Sequence, residues 1–161
     1  MALVKLSLKG RALRLLSQRE HSRLELERKL AAHEEVPGTL AQALDDLQAK
    51  GFIDENRVVE SVVHRRAAKL GTGRIKQELQ AKGLAPELVS QAVQALKDSE
   101  FDRAREVWRK KFEQAGTDRA AQAKQARFLL TRGFSSDVVR RVLNVAARLQ
   151  GSEGVDDDLG F

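Results

Sequence analysis

Residues 82–89 read KGLAPELV, and residues 132–139 repeat the same pattern as RGFSSDVV. In both stretches a basic residue is followed by Gly, by an apolar residue and then by residues suited to starting a helix. Gly at this place predicts a helix end, because the left-handed backbone that closes many helices is favourable for Gly. Pro86 predicts the first turn of the next helix, and Ser135 or Ser136 with Asp137 predicts a capped start. Each stretch therefore predicts a turn between two helices.

The residues around these turns recur with a spacing near 50 residues. Leu26 and Leu30 return 49 positions later as Ile75 and Leu79, and Leu79 returns 50 positions later as Leu129. Apolar residues three and four apart indicate amphipathic helices. The alternation of apolar and polar residues that would indicate strands is not sustained anywhere. A period of this length is typical of helical-repeat proteins.

The sequence therefore predicts an all-α protein of three tandem three-helix repeats, nine helices in all, that forms an elongated, curved body. We expect the three repeats in residues 1–53, after a short N-terminal segment, in residues 54–98 and in residues 99–149. Their opening helices are expected at residues 10–18, 54–69 and 100–115. Residues 150–161 are acidic and offer little to pack, so we expect a disordered tail there.

Positive charge is concentrated in the last predicted repeat. The chain carries a net charge of +6, and residues 99–149 alone carry +6, whereas residues 10–53 are neutral. This gradient suggests an anionic partner surface, either nucleic acid or an acidic protein face. A merely solvated surface is the alternative.

Composition argues against several classes of protein. The chain has no Cys, so it has neither disulfides nor thiolate chemistry. No apolar run approaches the length of a membrane span, and the N-terminus lacks a signal-peptide pattern, so we expect a cytoplasmic protein. His21, His33 and His64 are scattered without Cys partners, and no nucleophile–base constellation is visible. We therefore expect no enzyme, no metal and no cofactor.

Two groups of basic residues are the candidate partner-binding sites. The first brackets the turn KLGTGR at residues 69–74, in which Thr72 is expected to cap the middle helix of the second repeat, as Asp118 is expected to cap that of the third. Glycines before a helix can also contact an anion, but no Gly-Lys-Ser/Thr follows and no strand precedes, so a nucleotide loop is not supported. The candidates in this group are Arg65, Arg66, Lys69, Arg74 and Lys76.

The second group combines the basic run at residues 109–111 with arginines further along the chain. Arginine can bind carboxylate or phosphate through two hydrogen bonds, so contact with either is plausible. Its candidates are Arg109, Lys110, Arg127, Arg132, Arg140 and Arg141. For both groups the alternative is again a solvated surface.

Trp108 and Phe112 lie four residues apart, and we expect them in the core of the third repeat. Aromatic residues make up only 4% of the chain, which argues against single-strand binding by base stacking. The helix–turn–helix pattern around Gly83 recurs along the chain, which favours a structural role over sequence-specific recognition of bases in a DNA groove.

Three blocks together resemble the RecX family of bacterial RecA regulators. Residues 12–26 read ALRLLSQREHSRLEL, residues 51–57 read GFIDENR before GTGRI at residues 71–75, and residues 126–135 read ARFLLTRGFS. All three stand in the family's order, and the resemblance covers roughly residues 10–149.

The resemblance implies a fold of three tandem three-helix repeats and a function without catalysis. It implies a protein that binds RecA and lies in the groove of the RecA–single-stranded DNA filament. We expect this chain to be a monomer. Such proteins depress strand exchange, ATP hydrolysis and co-protease activity of RecA, and some also bind DNA. A helical-repeat protein that binds DNA without RecA is the alternative.

Overall fold

The computed structural model describes residues 4–153 as helices joined by short turns. No strand occurs in these residues, so the predicted all-α class is confirmed. A single turn of 3₁₀ helix at Ala31–His33 follows the second helix. The eight α-helices are α1 (Leu8–Gln18), α2 (Arg23–Leu30), α3 (Thr39–Ala49), α4 (Glu55–Arg66), α5 (Thr72–Ala81), α6 (Pro86–Phe112), α7 (Arg119–Thr131) and α8 (Ser136–Glu153).

The prediction of nine separate helices was wrong, because α6 is one helix of 27 residues. It joins the last helix predicted for the second repeat to the first helix predicted for the third. Neither Gly nor Pro interrupts it, and its buried stripe continues across the expected boundary. The stripe consists of Leu96, Glu100, Ala104 and Trp108, four residues apart.

Two further helix ends differ from the predictions. α4 stops at Arg66, where the N–H groups of Lys69 and Leu70 both bond to the Arg66 carbonyl. α8 extends to Glu153, so residues 150–153 of the predicted tail are helical, and the rest of that tail lies outside the described residues.

The chain divides into two compact units, each with its own core. The first contains the residues up to Val62 together with Glu78–Val89. Its core is formed largely by leucines on α2 and α3, in the predicted stripe: Leu26, Leu30, Leu40, Leu44 and Leu47.

The second unit contains Val63–Gln77 and the residues from Ser90 onward. Its core includes Trp108, Leu129, Phe134 and Val142, and Phe112 packs against it while partly exposed. The Trp108 indole Nε1 donates a hydrogen bond to Gln125 Oε1 at 3.0 Å. The expected core position of Trp108 is therefore confirmed.

In the second unit, two turns pack backbone against backbone. The Gly71 N–H donates to the Arg132 carbonyl at 2.8 Å, and the Gly73 N–H donates to the Gly133 carbonyl at 3.1 Å. A Cβ on Gly71 would lie 2.2 Å from the Phe134 backbone nitrogen, so no larger residue fits this approach. Gly133 has a φ of +92°, as the helix-ending pattern predicts.

Helix starts in the second unit follow the predictions in part. Asp118 caps α7, because its side chain accepts a hydrogen bond from the Ala121 N–H at 2.7 Å. Thr72 instead lies inside α5 as its first residue, and the Glu100 carboxylate accepts its N–H at 3.2 Å. The predicted capping role of Thr72 was thus wrong, and Glu100 satisfies that donor from α6.

Arg103 joins the end of α4 to α6 in the second unit. Its guanidinium donates to the carbonyls of Ala67 at 3.0 Å, Leu70 at 2.7 Å and Leu96 at 3.0 Å. The bonds to Ala67 and Leu70 supply partners for carbonyls just after the end of α4, which a helix end would otherwise leave unpaired, whereas Leu96 lies within α6 itself. Burial lowers the pKa of Arg103 from its ordinary value.

The first unit contains a related turn-on-helix contact, held by a partly buried ion pair. A Cβ on Gly83 would lie 2.7 Å from Leu24 Cδ2, and Lys82 Nζ lies 2.9 Å from Glu25 Oε1. Arg19 also donates to the Glu25 carboxylate at 2.6 Å. Burial alone would raise the pKa of Glu25, but hydrogen bonds from Arg19, Lys82 and the Ser22 N–H outweigh burial and lower it to about 2.

Gly71→Ala should destabilise the protein by about 2 kcal/mol or more, because the new Cβ meets backbone atoms that cannot move aside. Urea unfolding followed by circular dichroism measures the change. The matched control is Gly151→Ala, since nothing lies within 4 Å of a Cβ at Gly151. Equal stability of the two variants would contradict the backbone contact.

Glu25 should make stability depend on acid pH. Its folded pKa lies below the ordinary 4.5, so the stabilisation is complete above pH 4.5 and is lost as the pH falls toward 2. From pH 5 to pH 2 the free energy of unfolding should fall by roughly 2 kcal/mol more in the wild type than in Glu25→Gln. Urea titrations at each pH test this, and parallel curves for the two proteins would refute it.

Candidate basic groove

All eleven predicted contact residues lie in the second unit, and the structure brings three of them into one open groove. Arg74 comes from the start of α5, Arg127 from α7, and Arg132 from the turn after α7. Arg74 and Arg127 are exposed, whereas Arg132 is half-buried.

The groove has a volume of about 600 Å³ and combines cations with an apolar floor. Leu70, Phe112 and Phe128 form the floor, and Thr131 adds a polar edge. Among the described residues that line it, five are cationic and none carries a carboxylate: Arg74, Lys111, Lys124, Arg127 and Arg132.

An aromatic pair organises the floor. The rings of Phe112 and Phe128 meet edge to face, with centroids 5.2 Å apart and planes at 85°. The Arg132 guanidinium lies 4.3 Å from the centroid of Phe128, and Lys111 Nζ lies 5.8 Å from it. Cations attracted to an aromatic face in this way hold their charge beside the floor.

The two arginines at the head of the groove are fixed by the turn contact. Arg74 Nη1 donates to the Thr131 carbonyl at 3.0 Å. The Arg132 carbonyl accepts the Gly71 N–H, while Arg132 Nε is buried and has no hydrogen-bond partner among the described residues. A buried donor without a partner is costly, so this guanidinium is incompletely satisfied within the fold.

Eight predicted residues lie outside the groove. Arg65 and Arg66 end α4 and engage in interactions of their own, and Lys69 and Lys76 are exposed on either side of the turn before α5. The others are Arg109, Lys110, Arg140 and Arg141, on α6 and α8.

Local partners engage these last four. Arg109 Nη2 lies 2.7 Å from Glu106 Oε1, and its hydrogen bond lowers the pKa of Glu106. Lys110 lies 3.9 Å from the same carboxylate, and Arg140 lies 4.0 Å from Asp137. Arg141 lies 4.8 Å from the ring centroid of Phe101.

Sequence reasoning missed Lys124 and Phe128, and it left Lys111 out of the candidates. A signal for the first two was present, because Lys124, Arg127, Phe128 and Thr131 are three or four residues apart and share one face of α7. Phe112, expected in the core, both packs on the core and lines the groove.

The arrangement suits binding of an anion. Cations that line an apolar floor can hold carboxylate or phosphate groups beside an apolar side chain. Within residues 4–153, no group of three or more His, Cys, Asp or Glu side chains could hold a metal ion. No helix in that range combines the length and hydrophobicity needed to span a membrane.

Comparison with known proteins identifies the fold and the family. The RecX first, second and third three-helix domains match residues 9–47, 54–93 and 98–143. The crystal structure of RecX from Lactobacillus salivarius superposes with a TM-score of 0.73 at 22% identity, covering 88% of this chain and 95% of that one. The predicted tandem of three three-helix domains is thus confirmed.

Relatives with higher identity are regulatory proteins by name. Regulatory protein RecX of Leptothrix cholodnii is 55% identical over 141 residues, which are 88% of this chain and 90% of the relative. Regulatory protein RecX of Ralstonia nicotianae is 44% identical over 153 residues, which are 95% of this chain and 92% of the relative. This chain therefore belongs to the RecX family of regulatory proteins.

Proposed function

We propose that this chain is a non-enzymatic, cytoplasmic, monomeric modulator of the RecA recombinase. It binds RecA and the groove of the RecA–single-stranded DNA filament, and it lowers recombinase, ATPase and co-protease activity in DNA repair and the SOS response. The observation that carries the proposal is the match of all three RecX domains along residues 9–143, together with relatives named as regulatory proteins.

The basic groove supports a binding function of this kind. It is open, it is cationic, and its described lining offers no carboxylate or Cys for catalysis. A modulator shifts a partner between states only through unequal affinity for them, so the groove must meet a surface that changes between active and inactive filaments.

The test is RecA-dependent ATP hydrolysis on single-stranded DNA, with strand exchange as a second readout. Wild type should lower both at or below equimolar amounts. Lys124→Glu with Arg127→Glu should weaken inhibition by about tenfold, because it reverses two exposed groove cations.

The matched control is Arg28→Glu with Lys97→Glu, which makes the same change in charge at two exposed residues that are neither in the groove nor among the candidate contacts. It should inhibit like the wild type. Unchanged RecA activities in the presence of the wild type would reject the proposal.

Direct DNA binding without RecA is the second candidate, favoured by the five groove cations. It predicts that the chain binds bare single strands at least as tightly as a preformed filament, with a steep salt dependence. Comparing the two substrates at about 150 mM salt, where exposed charges are well screened, separates the candidates.

A further inference from the structure

The groove lies at the second of two equivalent turn-on-helix contacts. Lys82 and Arg132 are 50 residues apart, and each directly precedes the helix-ending Gly of its turn. Glu25 and Arg74 are 49 residues apart, and each is the third residue of the helix that its turn contacts, α2 or α5. The pair Lys82–Glu25 in the first unit therefore corresponds to Arg132–Arg74 in the second.

In the first contact the chain supplies its own anion. Lys82 Nζ lies 2.9 Å from the Glu25 carboxylate, and the two side chains are only 13% and 14% exposed. The cation of the turn is thus neutralised inside the fold.

In the second contact the carboxylate is replaced by another cation. Arg74 donates instead to the Thr131 carbonyl, and Arg132 Nε remains buried without an acceptor among the described residues. Lys111, Lys124 and Arg127 add charge around the same place. The residue that is a carboxylate in the first unit is here Arg74, which lines the groove together with four other cations.

We propose that this groove binds carboxylate side chains of an acidic protein segment. One carboxylate pairs with the cations at the head of the groove as Glu25 pairs with Lys82, and an apolar neighbour in the segment packs on Phe112, Phe128 and Leu70. This inference rests on the proposed function, because the acidic segment belongs to the protein that the chain regulates.

The floor favours a peptide over single-stranded nucleic acid. Base stacking needs an open ring face, but Arg132 lies 4.3 Å from the Phe128 centroid and Phe112 meets that ring at 85°. Aliphatic side chains need no parallel face and fit such an edge-to-face pair. The internal precedent at Glu25 is likewise a carboxylate.

The binding test is isothermal titration calorimetry of the full chain with an acidic peptide of about 12 residues, Asp or Glu alternating with Leu, at about 50 mM NaCl. The matched peptide has Asn and Gln in place of the acids and should bind at least about tenfold more weakly. Equal binding of the two peptides, or no binding of either, overturns the proposal. Oligothymidylate that binds more tightly than the acidic peptide and displaces it would overturn it in favour of phosphate.

Arg74→Glu distinguishes a carboxylate site from a general basic surface. The new glutamate should pair with Arg132 as Glu25 pairs with Lys82, so peptide binding should fall at least about tenfold while the thermal midpoint stays or rises. Lys124→Glu with Arg127→Glu should lower binding similarly, whereas the control Arg28→Glu with Lys97→Glu should change it less than about twofold. An equal loss in that control would refute the site.

The RecA assay with the same variants keeps the two proposals distinguishable. If the acidic peptide does not bind but the wild type still inhibits RecA, the carboxylate site is wrong and the proposed function stands. If the peptide binds as expected but RecA is unaffected, the proposed function is wrong and the ligand chemistry stands.

Discussion

The backbone contact between the turn before α5 and the turn after α7 determines the arrangement of the second unit. Because Gly71 and Gly73 lack side chains, their N–H groups reach the carbonyls of Arg132 and Gly133. The same approach places Arg74 against the second turn and fixes the head of the groove. The charged surface is therefore a consequence of how closely two backbones can meet.

Buried polar groups complete this arrangement from α6. Glu100 accepts the Thr72 N–H, and Arg103 donates to carbonyls at the end of α4. Both residues lie beyond the expected boundary at residue 98, within the uninterrupted helix α6. If the helix had ended at residue 98, Glu100 and Arg103 would not be held on one continuous helix with the residues before them. The continuous helix thus positions the partners on which the turn depends.

Local signals made much of the fold predictable from the sequence. The Gly after each basic residue predicted Gly83 and Gly133 with positive φ, and the periodic leucines predicted the first core. The continuity of α6 was missed because the absence of Gly and Pro indicates a continuous helix less strongly than their presence indicates a helix end. The groove was predicted only in part, since the meeting of Arg74 with Arg132 depends on a contact between residues 58 positions apart.

Trp108 is the chain's single tryptophan, and its indole is buried in the second core with its N–H bonded to Gln125. Intrinsic emission from this protein therefore originates from one position, near Phe134 and Val142 within the same core. The chain thus carries a native optical reporter of the second unit alone. A shift of that emission to longer wavelength would reveal loosening of this unit without any attached dye, even where the first unit stays folded.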